Sequence, residues 1–416
     1  MTVLRESVTL PNGAVLPNRF MKSALSEGMG ASDRGPSKRI ERLYNRWSTG
    51  GYGLVVTGNV MVDGRHLGEP GNIVVEDDRH LDRLKSWAKG FQDHGSPIWM
   101  QINHPGRQAN ALGGKRQPVA PSAIAARVPG MMKPRALSRN EIRDVIERFA
   151  TTAAIAEAAG FDGVQIHGAH GYLVTQFLSP LTNQRTDEWG GDPARRRRFV
   201  IEVLRAIRAQ TNPSFAVGIK LNSADFQRGG FTEEESRDVV RALVDEGIDL
   251  LEISGGSYEA PAMMGQVAAS TAAREAYFLD YARSVRAITG DVPIAVTGGF
   301  RTAAAMERAV SEGDCDIIGL GRPTALVPDA PKGILTGVVT ELPSANVKIG
   351  ARSILGRVTD LKAMDGALDL SWHADQLHRM GDGKEPDPNR SWVDALVMLG
   401  VRNGPAAFKP RTRSIR

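Results

Sequence analysis

The sequence predicts an α/β protein: a (β/α)8 TIM barrel preceded by an N-terminal β-hairpin and followed by a C-terminal helical extension. Three observations predict it. Short apolar runs alternate with amphipathic stretches along most of the chain, the pattern of a parallel sheet with helical crossovers. Polar residues gather where the apolar runs end, and parallel sheets place their sites at that end. The last two runs stop in glycine turns, Thr297-Gly-Gly-Phe-Arg301 and Gly319-Leu-Gly-Arg-Pro323. A doubly wound open sheet is the competing arrangement; a count of eight strands argues for closure.

In chain order, Val8 to Leu16 comes first, with Asn12-Gly13 between two apolar arms. That dipeptide suits a tight hairpin, which is expected to plug the amino-terminal mouth of the barrel. The expected strands are Arg19 to Ala24, Gly53 to Gly58, Ile98 to Asn103, Gly163 to His167, Ala216 to Leu221, Leu250 to Ile253, Ile294 to Thr297 and Asp316 to Leu320. Between them lie the expected helices Ser37 to Ser48, Arg79 to His94, Ser138 to Ala159, Pro193 to Thr211, Thr232 to Glu246, Arg274 to Ile288 and Thr302 to Ser311. Ser138-Arg-Asn-Glu141 and Thr232-Glu-Glu-Glu235 have capping-box spacing, and Asp192-Pro193 reads as an N-cap followed by proline at the first helical position. The alternation fades after Pro323. Residues 1–340 are therefore read as the barrel and residues 341–416 as an extension packed on it, with helices at Ser344 to Leu361, Trp372 to Met380 and Trp392 to Leu399. A homo-oligomer contact is one role open to that extension.

Composition narrows the function. With 416 residues, 41% hydrophobic and 24% charged, the chain can bury a large core as a globular protein. One cysteine, Cys315, rules out a disulfide framework or a multi-thiolate metal site built from this chain, and its apolar surroundings suggest an inert thiol. The net charge of +5 and the run Arg195 to Arg198 raise nucleic acid as a ligand. A helix opening at Pro193 spreads those arginines around its axis, no aromatic and basic platform accompanies them, and no nucleic-acid partner is expected. The basic stretch Lys409 to Arg416 reads as a flexible tail. No leader-like or membrane-length apolar run is present, so a cytoplasmic enzyme without a membrane partner is expected.

The most informative stretch is Gly163-Val-Gln-Ile-His-Gly-Ala-His-Gly-Tyr172, where a buried-type strand delivers His167, His170 and Tyr172 to its carboxyl end. A structural histidine would account for one of these, not three. The glycines of the last two turns let backbone N–H groups approach an anion, and Arg322 adds a charged contact, with Arg301 after the other turn. A phosphorylated ligand is expected there. The other strand ends carry Ser26, Gly58, Asn59, Gln101, His104, Lys220 and Asn222, with no Asp or Glu among them. This inventory suits a flat polar cofactor with a phosphate tail, and FMN fits best. Gln101 can pair with the pyrimidine edge of a flavin, and Lys220 can oppose the negative charge of the reduced ring. A metal held by the two histidines lacks an evident third ligand, so no metal is expected.

These segments resemble the Old Yellow Enzyme family of FMN-dependent NAD(P)H:flavin oxidoreductases. The similarity is carried by Asn18 to Ala24, Gly53 to Val60, Gln101-Ile-Asn-His-Pro-Gly-Arg107, Ile166 to Leu173 with Phe177 to Gly191, and Gly319-Leu-Gly-Arg322, in the family's order. The resemblance implies a noncovalent FMN reduced by NAD(P)H, and hydride transfer from flavin N5 to the β-carbon of an alkene conjugated to a carbonyl or nitro group. It implies that His167 and His170 bind the activating oxygen and that Tyr172 protonates the α-carbon. It places Ser23, Ala24, Ser26, Gly58, Gln101, His167 and Lys220 at the flavin, and Gly298, Gly299, Gly321 and Arg322 at its phosphate end. Family members commonly have Thr or Cys in place of Ser26 and Arg in place of Lys220. Met29, Tyr258 and Met263 are candidates to line the substrate side, and Arg185 to Gly191 reads as a structural loop. Larger relatives add an iron–sulfur cluster, which a single cysteine cannot build, so direct reduction by NADH or NADPH is expected.

The expected function is thus an FMN-dependent ene-reductase acting on a small-molecule alkene. The alternatives are an FMN barrel with a specialised biosynthetic or catabolic substrate, including desaturation, a flavin-free barrel isomerase or lyase using His167 and Lys220, and a flavoprotein sensor.

Overall fold

All eight expected strands form and all pair in parallel: β1 (Phe20–Lys22), β2 (Leu54–Val56), β3 (Ile98–Asn103), β4 (Gly163–Gly168), β5 (Ala216–Asn222), β6 (Leu250–Ser254), β7 (Ile294–Thr297) and β8 (Ile317–Leu320). Each pairs with its sequence neighbour, and β8 pairs with β1 through Ile318 and Phe20, which closes the barrel. The computed structural model describes residues 3–93, 95–110, 116–127, 131–255, 278–345, 347 and 361–403. Three short segments were not expected. Val60–Met61 pairs beside β3, and Val119–Ala120 pairs with Arg135–Ala136. Two-residue strands carry no readable period, so the pattern of the chain gives no warning of them.

The helices follow their local signals. Ser138 and Thr232 both close full capping boxes, with Glu141 and Glu235 answering the N-cap backbone. Asp192 accepts from Arg195 N, and Pro193 opens the next helix. The arginine run does spread. Arg196 is buried and donates to Leu178 O and Glu235, whereas Arg198 lies 4.8 Å over the Trp189 ring. No helix among the described residues is long and apolar enough to cross a membrane.

Alternation along the strands builds two cores. In β3, Ile98, Met100 and Ile102 face the surrounding helices; in β4, Val164 and Ile166 do so; in β5, Val217, Ile219 and Leu221. The opposite faces fill the barrel. Low in it, Met21, Leu54, Val56, Trp99, Ala216, Leu250, Ala295 and Ile317 pack with Val8, Leu10 and Leu16 of the hairpin, which therefore plugs the amino-terminal mouth. Higher up, the inward positions turn polar: Gln101, Gln165, His167, Lys220 and Glu252.

Trp99 sets the size of the lower layer. A Cβ on Gly163 would stand 2.9 Å from its Cε2 and 2.5 Å from Ala216 O, and a Cβ on Gly218 would stand 2.6 Å from its Cζ3. Two strands give up their side chains to admit one indole. Cys315 is buried beside β8, and burial pushes its thiol up to about 12, which makes it unreactive at neutral pH.

Beyond the barrel, the helix Leu361–Gly381 runs longer than the expected Trp372 to Met380 and packs along Lys38–Ser48. Arg42 Nη1 donates to Gly381 O at 2.7 Å, Arg39 meets Asp382 at 2.6 Å, and Leu377 and Met380 enter the main core. Its stripe includes polar residues bonded to partners distant in sequence, so apolar periodicity understates it. Trp392–Asn403 forms as a second helix. Most of the expected helix Ser344 to Leu361 lies outside the described residues, as does the tail Lys409 to Arg416.

Replacing Gly218 by Ala should destabilise the protein by about 1–3 kcal/mol through overpacking, and Trp99→Ala by about 3–5 kcal/mol through the cavity it leaves. Urea unfolding of both and of the double variant should show coupling, with Gly218→Ala costing less once the indole is gone. Simple additivity would contradict the packing described.

Candidate functional site

β4 ends in a bent loop that arranges three aromatic side chains. The His167 ring is centred 5.2 Å from His170 and 4.7 Å from Tyr172, both nearly edge-on. His170 has a left-handed backbone, φ 63°, followed by Gly171 at φ 79°. A non-glycine residue there stores roughly 1–3 kcal/mol, so the surroundings must hold it. They do so on both sides: His170 N donates to Asn222 Oδ1 at 3.2 Å, and Gln108 Nε2 donates to His170 O at 3.1 Å. Its ring Nε2 lies 2.8 Å from Ser254 Oγ. Gln176 holds the next peptide, donating to Gly171 O at 2.8 Å and to Pro105 O at 3.1 Å. In His167, Nδ1 accepts from Ala169 N at 3.4 Å, which leaves Nε2 with the proton and able to donate to a ligand oxygen.

Below these rings is a polar layer organised by Glu252, whose carboxylate is fully buried. Oε1 lies 3.0 Å from Lys220 Nζ and accepts from Thr297 Oγ1 at 2.6 Å. Oε2 accepts from Gln165 Nε2 at 2.7 Å, and Gln165 Oε1 accepts from Gln101 Nε2 at 2.8 Å. Ser23 Oγ joins through Thr297 Oγ1 at 2.7 Å. Gly319 permits that junction, since a Cβ there would fall 1.9 Å from Thr297 Oγ1. Lys220 is thus a cation held at the cleft floor with an explicit counter-charge.

One cleft across the carboxyl mouth of the barrel brings most expected site residues together. Ala24, Ser26, Gln101, His167, His170, Tyr172 and Lys220 line it, and Gly298, Gly299, Arg301, Gly321 and Arg322 line its far end. Gly298 and Gly299 have φ 128° and 89°, a backbone that leaves peptide N–H groups unobstructed by side chains. Ser26 Oγ donates to Asn59 Oδ1 at 3.1 Å.

Three expected residues do not line the cleft. Ser23 sits beneath it in the Thr297 contact. Gly58 donates its N–H to Glu27 Oε1 at 2.9 Å, and its missing Cβ makes room for that same carboxylate. Met29 is in the main core, against Gly381. Tyr258 and Met263 lie outside the described residues.

Several residues join the site that sequence reasoning did not name. Glu252 carried a signal, as the one charge inside Leu250-Leu-Glu-Ile253. Lys22, the charge within β1, does not line the cleft: it is buried, donates to Val56 O at 3.0 Å, and lies 4.3 Å over the Trp47 ring. Burial lowers it to about 8 against the opposing pull of Glu27. Ser254, Phe278, Leu370 and His373 also line the cleft and had no local signal.

Asp63, His66 and His104 form a buried group whose ligand atoms lie within 4.8 Å of one another. Hydrogen bonds occupy Asp63 and one nitrogen of His104, while His66 Nδ1 and His104 Nε2 make none among the described residues. Gly106 N donates to His104 Nδ1 at 3.0 Å, so the proton sits on Nε2 facing Asp63, and Arg65 spans both Asp63 oxygens at 2.8 to 3.0 Å.

Burial holds both His167 and His170 well below the usual imidazole value, reinforced for each by the Lys220 charge. Both are neutral when folded and take up protons when unfolded below about pH 6.5, so stability is lost as the pH falls through that value. At pH 5.5 each ring should cost about 1.4 kcal/mol relative to pH 8, and the double replacement by Asn should remove about 3 kcal/mol of that acid loss. An unchanged slope of unfolding free energy against pH would show that the rings protonate in place.

The chain matches the profile of the NADH:flavin oxidoreductase / NADH oxidase family over residues 7–341. It is 39% identical over 352 residues to the NADH-dependent flavin oxidoreductase iliE of Hypocrea jecorina, covering 79% of this chain and 88% of that protein. It is 36% identical over 408 residues to the NADH-dependent flavin oxidoreductase iccE of Talaromyces variabilis, covering 91% and 98%. Among solved structures, 2-naphthoyl-CoA reductase superposes with a TM-score of 0.77 at 25% identity, covering 89% of this chain and 58% of that one. The Old Yellow Enzyme homologue of Zymomonas mobilis shares the fold, with a TM-score of 0.69 at 23% identity over 83% of this chain and 94% of that one. With the barrel closed and its cleft furnished in this way, the chain belongs to the NADH:flavin oxidoreductase / NADH oxidase family, and its fold is that of the Old Yellow Enzyme homologue.

Proposed function

We propose that the protein is an ene-reductase: electrons from NADH or NADPH pass by way of a noncovalent FMN to the C=C bond of an alkene conjugated to a carbonyl or nitro group. The observation that carries this reading is one cleft joining His167, His170 and Tyr172 to Gln101 and Lys220 and, at its far end, to the glycine turns with Arg322. NADH is favoured as donor, since both fungal relatives are named NADH-dependent.

The donor set fits FMN. Gln101 offers an amide to the pyrimidine edge of the ring, Lys220 a cation for the charge of its reduced form, Ser26 a hydroxyl, and the Gly298-Gly299 and Gly321-Arg322 turns an anion cradle. When bound, FMN supplies reversible hydride chemistry that no side chain can provide. The protein's own residues orient and protonate. His167, with Nε2 as donor, and His170 bind the carbonyl or nitro oxygen and so draw electron density from the alkene. Tyr172, buried beside His167, delivers a proton to the α-carbon as hydride reaches the β-carbon, so that the alkene gains two hydrogens. A neutral phenol suits this step, because its ordinary pKa near 10 keeps it protonated until the carbanion-like centre develops.

Purified protein should be yellow, should bleach anaerobically on addition of NADH or NADPH, and should regain colour with enones, enals or nitroalkenes. Tyr172→Phe should slow that recovery by about 10²- to 10⁴-fold while leaving bleaching within roughly twofold of wild type. Equal losses in both steps would remove Tyr172 from the acid role. Colourless protein that FMN cannot reconstitute would overturn the whole reading.

A further inference from the structure

The end of the cleft assigned to phosphate is not closed by the barrel alone. The helix Leu361–Gly381 presents Asp369, Leu370 and His373 on one face, and Leu370 and His373 line the same cleft as Gly299, Gly321 and Arg322. The docking is specific. Arg322 Nη1 donates to Asp369 Oδ2 at 2.9 Å, and Val347 N donates to Asp369 Oδ1 at 3.3 Å. The strand-eight turn and the helix are therefore joined by an ion pair at the cleft wall.

His373 has a chemistry that packing alone would not require. It is only 5% exposed, and its Nδ1 lies 2.8 Å from the Asp369 carbonyl, which can only accept. Nδ1 therefore carries a proton, and Nε2 is the ring nitrogen left for a ligand. Leucine or phenylalanine would fill the volume beside the Trp372 ring, 5.1 Å from that of His373, without the cost of burying an ionisable ring. Burial holds the His373 ring below its usual value, aided by the Arg322 charge and opposed by Asp369, so on its own the ring is neutral with its proton on Nδ1; a doubly charged phosphate at Nε2 reverses that balance, favours the imidazolium and accepts its second N–H.

Resting on the FMN reading above, we propose that the C-terminal extension completes the cofactor site, with His373 Nε2 as a donor to the phosphate from outside the barrel. The extension is then a functional part of the flavin site, and retention of FMN depends on its docking.

The test separates phosphate from ring. Apoprotein is titrated with FMN and with riboflavin, which lacks the phosphate, following quenching of flavin fluorescence. His373→Ala and the volume-filling His373→Phe should each weaken FMN binding about 10-fold, the worth of one charge-assisted hydrogen bond, and leave riboflavin within about twofold. His373→Gln, which keeps a donor near the Nε2 position, should recover most of the loss. Equal weakening of FMN and riboflavin, or no weakening of either, would overturn the proposal and leave His373 as packing. Wild-type protein that binds neither ligand would overturn the FMN reading itself, and this proposal with it.

Discussion

The buried carboxylate of Glu252 is the constraint on which the carboxyl half of the barrel depends. A charge with no access to water demands full compensation, and it is met from three directions by Lys220, Gln165 and Thr297. Those partners sit on β5, β4 and β7, and Gln101 and Ser23 extend the chain of contacts to β3 and β1. Six strand ends, that of β6 included, are thereby tied into one network, three of them by direct contact with Glu252. An apolar layer at this height would pack at lower cost. What the polar layer gains is a fixed lysine and a fixed amide at the floor of the cleft.

The lower barrel follows the opposite logic. Trp99 fills it against strands that have surrendered their side chains at Gly163 and Gly218, and the hairpin seals it with Val8, Leu10 and Leu16. The dry plug gives the polar layer a rigid base. Strain accumulates above, where the chain leaves β4: His170 takes a left-handed backbone because Asn222 and Gln108 hold its two peptide groups. A relaxed backbone at that point would aim the ring elsewhere. The stability of the plug and of the Glu252 layer thus carries the cost of the bend that sets the histidines and Tyr172 over the cleft.

Much of this was legible in the sequence because it is local. Strand and helix periodicity, the boxes at Ser138 and Thr232 and the Asp192-Pro193 start depend on residues three or four apart, and each appears where expected. His167, His170 and Tyr172 lie within six residues, so their association needed no tertiary information. The expected residues that stand outside the cleft can be understood in the same terms. Gly58, expected at the flavin, stands outside the cleft lining, and its missing Cβ makes room for Glu27, which a one-dimensional pattern cannot place opposite it. Met29, a candidate for the substrate side, instead lies in the core against the distant Gly381.

By itself, then, the sequence determined the barrel, the strand ends and the residue types gathered there, since all of these follow from short-range spacing. Tertiary structure alone decided which of those residues share a cavity. It made Glu252 the partner of Lys220, set Ser254 against His170, and carried Asp369 and His373 from a segment without a readable motif to the glycine turn at Arg322. The physical reason is that charge compensation and cavity closure act through space. They are satisfied by groups tens or hundreds of residues apart, and the chain's local pattern holds no record of which partner will arrive.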